Sequence, residues 1–388
     1  MNRNIVIVGL VSFFTDISSE MIYPLIPLYL TAVLGASPAI LGIIEGIAES
    51  LASLLKIFSG RISDRFEKRK PVAIAGYGLS AVGKVLFVVA TSWVGILWAR
   101  MGDRFGKGIR TAPRDALIAE SIGPEARGKA FGFHRAMDTA GAVIGISAAY
   151  WLFTSYRGEY ILVFWLSLIP AVLGVLCLFL TTETGRARTA AAKQVVFSWK
   201  GLDKKLRYFI IITFLFNLGN SSNLFLLVRA GTSGFSPEQV ILLYLLMNLT
   251  YFAISYPAGV VSDTIGRRSL LVAGYALYGL VYFGFGFASL AWQFIVLFAV
   301  YGLYTGLTDG IEKALLADIA PAGQRATVYG LHAMTVGIAL LPASLIAGFL
   351  WEAFGAAAPF WFGGVTGLLA AGAFWFGLRG DLTKGVER

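Results

Sequence analysis

Residues 60–70 read GRISDRFEKRK, and residues 259–268 read GVVSDTIGRR. Each stretch follows one long apolar run and precedes another. Each sets a glycine, three residues, an aspartate and then a basic cluster in the same order: Gly60, Asp64, Arg65 and Arg69 in the first copy, Gly259, Asp263, Arg267 and Arg268 in the second. One unit has been used twice, and the repeat runs well beyond these loops. SSE at Ser18 answers SSN at Ser221, GASP at Gly35 answers GFSP at Gly234, ALIAE at Ala116 answers ALLAD at Ala314, and GFH at Gly132 answers GLH at Gly330. The last pair sets the two histidines of the chain, His134 and His332, at corresponding positions.

Composition gives the class. Of 388 residues 57% are hydrophobic and 14% charged, with a mean hydropathy of +0.73, which is far from a soluble domain. A spanning helix needs roughly 20 mainly apolar residues, and about twelve such runs with short loops use nearly the whole length, so an all-α polytopic membrane protein with twelve transmembrane helices is expected. The first run, residues 5–34, carries Asp16 and Glu20 and has no clear small-residue cleavage site, so it reads as a retained helix and not a signal peptide. The second covers residues 38–60. Basic residues gather in the connections after spans 2, 4, 6, 8 and 10: Arg65, Lys68, Arg69 and Lys70, then Arg127 and Lys129, a run from Arg186 to Arg207, Arg267 and Arg268, and Arg325. The other connections are nearly bare, which sets both termini on the cytoplasmic side. This bias accounts for most of the net charge of +10, so nucleic acid is not an expected partner. Cys177 lies alone in an apolar run and reads as packing.

Charged groups inside membrane segments are costly, and each marks a candidate site. Asp16 and Glu20 stand one turn apart on the first span, and Glu45, Glu49 and Lys56 share a face of the second. The fourth span carries a stripe of Arg100, Asp103, Arg104, Lys107, Thr111 and Arg114, with Arg110 and Asp115 beside it. That stripe must line a polar cavity or meet neighbouring carboxylates. The fifth span adds His134, Arg135 and Asp138. The second half is more neutral, with Asn217, Asn220 and Asn223 on the seventh span, Asn248 at the place of Glu49, and Asp309, Glu312 and Lys313 on the tenth. Asp16 and Glu20 are the first candidates for carrying a proton, with Arg100 and Asp103 beside them in that role. Glu45, Glu49, Arg104, Lys107, Arg110 and Arg114 are cavity candidates, as are His134, Asp138, Asn220, Asn223, Asp309, Glu312 and His332. For Glu45 and Glu49 a buried scaffold with the cations of the fourth span is an equal alternative, and for the histidines local hydrogen bonding is the plainer one.

The paired loops resemble the signature of the major facilitator superfamily of secondary transporters, although Glu67 replaces its late glycine in the first copy and Thr264 replaces a basic residue in the second. Arg100 and Glu120 resemble the arginine and closing acid of its fourth-helix signature, with Asp103 in the place of a glutamine. Gly132, Gly141 and Gly145 have the spacing of the antiporter glycine motif, while Ile146, Ala149 and Tyr150 depart from it. Close helix packing explains these glycines equally well. The resemblance implies two pseudo-symmetric six-helix bundles, residues 1–181 and 207–388, joined by a cytoplasmic linker at 182–206. Within that linker, residues 195–199 read as a connector or a short interfacial segment. The loop residues Gly60, Asp64, Arg65, Arg69, Gly259, Asp263, Arg267 and Arg268 would then form a gating latch. The expected function is proton-coupled movement of a small solute by alternating access, with export resembling drug:proton antiport as the first reading. Symport of an anionic metabolite, divalent cation export and lipid flipping are alternatives, in the inner membrane of a bacterium or archaeon and as a monomer. An enzyme or a sensor lacks support, because no nucleophile–base pair, metal signature or phosphate loop stands out. No cofactor and no resident metal are expected.

Overall fold

The computed structural model describes residues 2–66, 69–121, 127–182, 202–320 and 325–377. The predicted linker, apart from its ends, and the loop residues Glu67 and Lys68 lie outside the described residues. So do the side chains of Asp64, Arg65, Arg127, Lys129, Asp263 and Arg325.

Every described element is helical. The first half comprises α1 (Arg3–Ile22), α2 (Leu25–Leu28) with a π-helical turn at Tyr29–Val33, α3 (Pro38–Phe66), α4 (Arg69–Val89), α5 (Trp93–Glu120), α6 (Arg127–Ser155) and α7 (Tyr160–Phe179). The second comprises α8 (Lys204–Gly219), α9 (Leu224–Thr232), α10 (Pro237–Ile265), α11 (Arg267–Phe287), α12 (Ala291–Ile319), α13 (Arg325–Phe354) and α14 (Ala358–Gly377). Among the described residues, 11 helical stretches are long and apolar enough to cross a membrane, counting Arg3–Val33 and Lys204–Thr232 each as one. The remaining long helix, α5, has 28 residues but too many charges to meet that criterion.

The first and seventh predicted spans are both interrupted, which a continuous apolar run does not reveal. Pro24 supplies no N–H to continue α1, and the chain restarts as α2. In the second half the break falls in the polar sequence Asn220, Ser221, Ser222, Asn223, between α8 and α9. The second span runs past its predicted end at Gly60 to Phe66.

Two compact units emerge, one of Met1–Ala187 with Asn223–Leu245, the other of Arg188–Ser222 with Leu246–Arg388. In the first, α1 packs on α6 and α7, and α5 packs on α3 and α4. In the second, α11 packs on α12 and α14, and α8 on α13 and α14.

The repeat is visible in contacts. Arg69 Nε donates to Glu120 Oε1 at 3.2 Å, joining α4 to α5, and Arg267 Nη1 donates to Asp318 Oδ1 at 2.6 Å, joining α11 to α12. Lys70 donates to the Phe179 and Thr181 carbonyls at the end of α7 (2.8 and 2.6 Å), and Arg268 to those of Phe374 and Trp375 near the end of α14. One shift along the chain relates Arg69 to Arg267, Lys70 to Arg268, Glu120 to Asp318 and His134 to His332. Asp64 and Asp263 need a shift longer by one residue, so the second loop is one residue shorter. Gly266 alone joins α10 to α11 with a φ of 91°, a conformation that favours glycine.

Small residues let the charged helix approach its neighbours. A Cβ at Gly106 of α5 would stand 2.5 Å from the Ser80 backbone nitrogen of α4, and one at Gly108 would stand 2.9 Å from the Ala52 carbonyl of α3. At Gly141 and Gly145 of α6 it would meet the Phe13 and Ile17 carbonyls of α1, each at 2.5 Å. Backbone cannot yield as a side-chain tip can, so Gly106→Ala is expected to lower stability by about 1–3 kcal/mol. Gly78→Ala, where nothing lies within 4 Å, should be neutral. Thermal unfolding of the purified protein in detergent checks both.

Candidate functional site

Ser92 starts α5 by accepting from the Gly95 N–H at 3.3 Å, and charges recur along the helix every three or four residues, which gathers them on one side. Arg100, Asp103, Arg104 and Arg110 are buried there, while Trp98 and Phe105 are exposed. The central interaction is a fork. Arg100 Nε and Nη2 donate to Glu45 Oε1 and Oε2 of α3 at 2.6 and 2.8 Å, with the two side chains 2% and 0% exposed. Glu49, one turn on from Glu45, lies 3.4 Å from Arg100 Nη2 and 3.1 Å from Arg104 Nε. Asp103 accepts from the Ser80 hydroxyl of α4 and stands 3.8–3.9 Å from Arg104 and Arg100. A bidentate, fully desolvated Arg–carboxylate pair is the strong form of this interaction.

Lys84 of α4 completes the cluster. Its ammonium donates to Ser18 Oγ at 2.8 Å and to the Thr15 carbonyl of α1 at 3.4 Å, with Asp103 and Asp16 among its charged neighbours. A small cavity is lined by Lys84, Arg100, Asp103, Arg104 and Ser19, with Phe87 and two isoleucines. Lys84 is not among the candidates named from sequence, although a lone lysine in an apolar run carries the same cost as Asp16.

On α1, Asp16 and Glu20 lie beside Gly141 and Gly145 of α6, at 3.2 and 3.1 Å between the Cβ of each acid and a Cβ built on the glycine. Arg104 and Lys107 are charged neighbours of Glu20. Tyr244 Oη donates to Glu20 Oε2 at 2.9 Å. Tyr244 was missed because it lies in an ordinary apolar stretch of α10. On α6, His134 Nε2 lies 2.7 Å from Ser12 Oγ and its Nδ1 lies 3.5 Å from Asp138 Oδ2. Asp138 has Asp16 and Arg114 as charged neighbours, and Arg114 Nε and Nη2 both reach the single oxygen Asp115 Oδ1, at 2.9 and 2.8 Å. Arg110 lies over the Tyr77 ring, 4.5 Å from its centroid, and its buried Nη1 has no hydrogen-bond partner among the described residues.

The corresponding place in the second unit is aromatic. The shift that relates the histidines sets Tyr278, Tyr282 and Tyr301 at the positions of Ser80, Lys84 and Asp103, and Phe298 at that of Arg100. Tyr278 and Tyr282 have ring centroids 4.1 Å apart, and Phe216 stacks on Tyr275 at 4.1 Å and 7°. Tyr275, Tyr278 and Tyr282 recur at helical spacing, a signal in the sequence for one buried face. Tyr275 donates to Glu312, whose other oxygen lies 3.5 Å from His332 Nε2. Asp309 pairs instead with Lys313 at 3.2 Å and accepts from Tyr251 at 3.1 Å. Asn220 follows α8 in the second unit and Asn223 precedes α9 in the first, so the two flank the break and are assigned to different units. Among the described residues no group of three or more His, Cys, Asp or Glu is arranged to hold a metal ion.

Glu45→Ala strands the Arg100 guanidinium without its main partner, and a loss of roughly 3–5 kcal/mol is expected. The double variant Glu45→Met with Arg100→Met should recover most of that loss. Melting temperatures of Glu45→Met, Arg100→Met and the double, compared as a cycle, check the coupling.

Comparison with known proteins gives this geometry a family. The sequence model of the Major Facilitator Superfamily matches residues 8–228 and 209–387. An MFS-type transporter of Methanocaldococcus jannaschii is 39% identical over 362 residues, covering 91% of this chain and 89% of that protein. The multidrug resistance protein MdtH of Photorhabdus laumondii is 26% identical over 329 residues, covering 82% and 79%. In fold the chain is similar to the crystal structure of a D-xylose–proton symporter, with a TM-score of 0.77 at 18% identity and 96% of each chain covered. It is likewise similar to the nucleoside transporter NupG, with a TM-score of 0.78 at 14% identity, covering 96% and 99%. Matched by the family model along nearly its whole length, and with a relative at 39% identity, this chain belongs to the major facilitator superfamily and is an integral membrane transporter of small molecules, not an enzyme.

Proposed function

We propose that the protein is a proton-coupled secondary transporter that exports a small solute by alternating access. The observation that carries the coupling is the carboxylate pair of α1. Asp16 and Glu20 stand one turn apart, both half-buried, with the cations of α5 beside Glu20. Two such carboxylates repel each other, and a bound proton relieves the repulsion. The cations of α5 provide the opposing state, in which the carboxylate is charged and held. Export is supported by the similarity to the multidrug resistance protein MdtH.

In this reading α5 is the twelfth span. Its charges meet α3 and α4, while Trp98 and Phe105 face outward, as a lipid-facing side requires. The two six-helix bundles are residues 1–181 and 207–388. Both termini lie in the cytoplasm of a bacterium or archaeon, by the charge of the loops, and the unit of function is the monomer. The Arg69–Glu120 and Arg267–Asp318 pairs belong to the gating latch. A second reading, symport of an anionic metabolite, is favoured by the buried Arg110 Nη1 that has no hydrogen-bond partner among the described residues.

The test uses protein reconstituted in liposomes under an imposed pH gradient, with a lipophilic cationic dye as the probe. Asp16→Asn and Glu20→Gln are expected to abolish gradient-driven dye transport while leaving dye exchange intact. Driven transport unchanged in both variants would overturn the coupling assignment. Stabilisation of the purified protein by organic anions and not by dyes, lost in Arg110→Gln, would establish the second reading in place of export.

A further inference from the structure

Tyr244 belongs by sequence to the second repeat, yet it lies in the Asn223–Leu245 segment that is part of the first unit. It is 5% exposed. Its ring centroid is 5.4 Å from that of Tyr23 just after α1, its hydroxyl reaches Glu20 Oε2 at 2.9 Å, and the Arg100 guanidinium lies 5.4 Å from the Tyr23 ring centroid. The same segment is seated further along by α9 on α2, where Gly231 approaches Leu28. By the shift that relates Gly35 to Gly234 and Asp64 to Asp263, Tyr244 stands at the repeat position of Glu45. In the first repeat that position holds an acid facing Arg100, and in the second it holds a hydroxyl facing Glu20.

We infer that Tyr244 is a positioning residue that reads the charge of Glu20: it holds the Asn223–Leu245 segment on α1 while Glu20 is a carboxylate and loosens it when Glu20 takes up a proton. A hydroxyl donating to a carboxylate makes a shorter and roughly twice stronger hydrogen bond than one donating to a neutral acceptor. The groups facing Glu20 are Asp16 on its own helix, Arg104 and Lys107 on α5, and Tyr244 on α10, while α6 presents Gly145. Protonation removes the charge that both the cations and the hydroxyl favour. Of these partners, Tyr244 lies in the segment whose contact would change, so the protonation event acquires a mechanical consequence. The inference rests on the reading of Glu20 as the proton carrier.

Amide hydrogen exchange of the full chain in lipid nanodiscs tests it without any substrate. Exchange of peptides covering residues 223–245 is compared at acidic and alkaline pH after correction for the intrinsic rate. In the unaltered protein the protection of this segment is expected to fall roughly tenfold on acidification. Glu20→Gln and Tyr244→Phe should each hold protection at the low value at both pH values, and the double variant should add nothing to either single. The two singles test the contact from opposite sides, so a folding failure of one leaves the other decisive, with peptides of α11 and α14 as the folding control. A pH dependence that survives in either single, or additive effects in the double, overturns the role of Tyr244. Loss of proton-driven dye flux in Glu20→Gln with unchanged protection also overturns it, while keeping Glu20 as the proton carrier. Flux indifferent to the pH gradient, alongside protection that depends on Glu20, overturns the proton-carrier reading and establishes the contact.

Discussion

A charged group inside the bilayer must be matched by its neighbours, and in this protein the match is made at Arg100. Its guanidinium, 2% exposed, is forked onto Glu45 at 2.6 and 2.8 Å, and much of the first unit is arranged to make that geometry available. α5 carries charges through most of its length and has no apolar stretch long enough to enter a membrane alone. It is accommodated because α3 and α4 bring Glu45, Glu49 and Ser80 to it. That approach in turn depends on Gly106 and Gly108, where a single added carbon would collide with neighbouring backbone. The glycines and the charges are thus one device: small residues bring the helices close enough for short ion pairs, and the ion pairs make a polar helix tolerable there.

The two repeats solve the same packing problem with different chemistry. Where α4 and α5 meet through Ser80, Lys84 and Asp103, α11 and α12 meet through Tyr278, Tyr282 and Tyr301. Tyrosine fills the volume of the glycine-lined crossing with ring, keeps a hydroxyl that can be satisfied locally, as Tyr278 does on the Gly219 carbonyl at 2.8 Å, and brings no charge to be matched. At the ends of these helices the copies converge again. Arg69 with Glu120 and Arg267 with Asp318 make the same bond, and Lys70 and Arg268 occupy the same helix termini, where free carbonyls attract a cation. The charged crossing of α4 with α5 is thus replaced by tyrosines, while these end contacts are kept.

This division explains what could be read in advance. The repeat, the helical class and the charged stripe of α5 were legible because each is a local pattern: a loop signature, an apolar run, a periodicity. The partners of the stripe were legible as types, since Glu45 and Glu49 fall on one face, but their assignment was not. That assignment depends on the crossing of α3 with α5, and sequence spacing fixes only positions along one helix. Lys84 and Tyr244 escaped for different reasons. Lys84 met the same rule as Asp16 and was overlooked. Tyr244 carries no charge and matters only because its hydroxyl reaches Glu20 of α1, which no local pattern records. The break after α1 is hidden because Tyr23 and Pro24 sit inside a run that is apolar on both sides, whereas the break after α8 falls in the polar sequence of Asn220 to Asn223.

A network of buried ion pairs adds little net stability compared with apolar packing of the same volume, and replacing such pairs by hydrophobic residues is often neutral or better. The second unit is the internal demonstration that this fold can be built that way at the equivalent crossing. Retention of Lys84, Arg100, Asp103 and Arg104 in the first unit is therefore not explained by the need to fold. It is explained if the charges are there to be redistributed. In the arrangement described here, Glu49 is shared between Arg100 and Arg104, Asp103 lies within 4 Å of both, and Lys84 bridges α4 to α1 beside Asp16. Under the proposed coupling, a proton arriving on α1 would change the charge against which Arg104, Lys107 and Lys84 are balanced, and near-equivalent partners within reach would let them re-pair without any one charge being left alone in the membrane. The aromatic crossing, with few charges to re-pair, offers no such response, so the proposed coupling falls to the first unit.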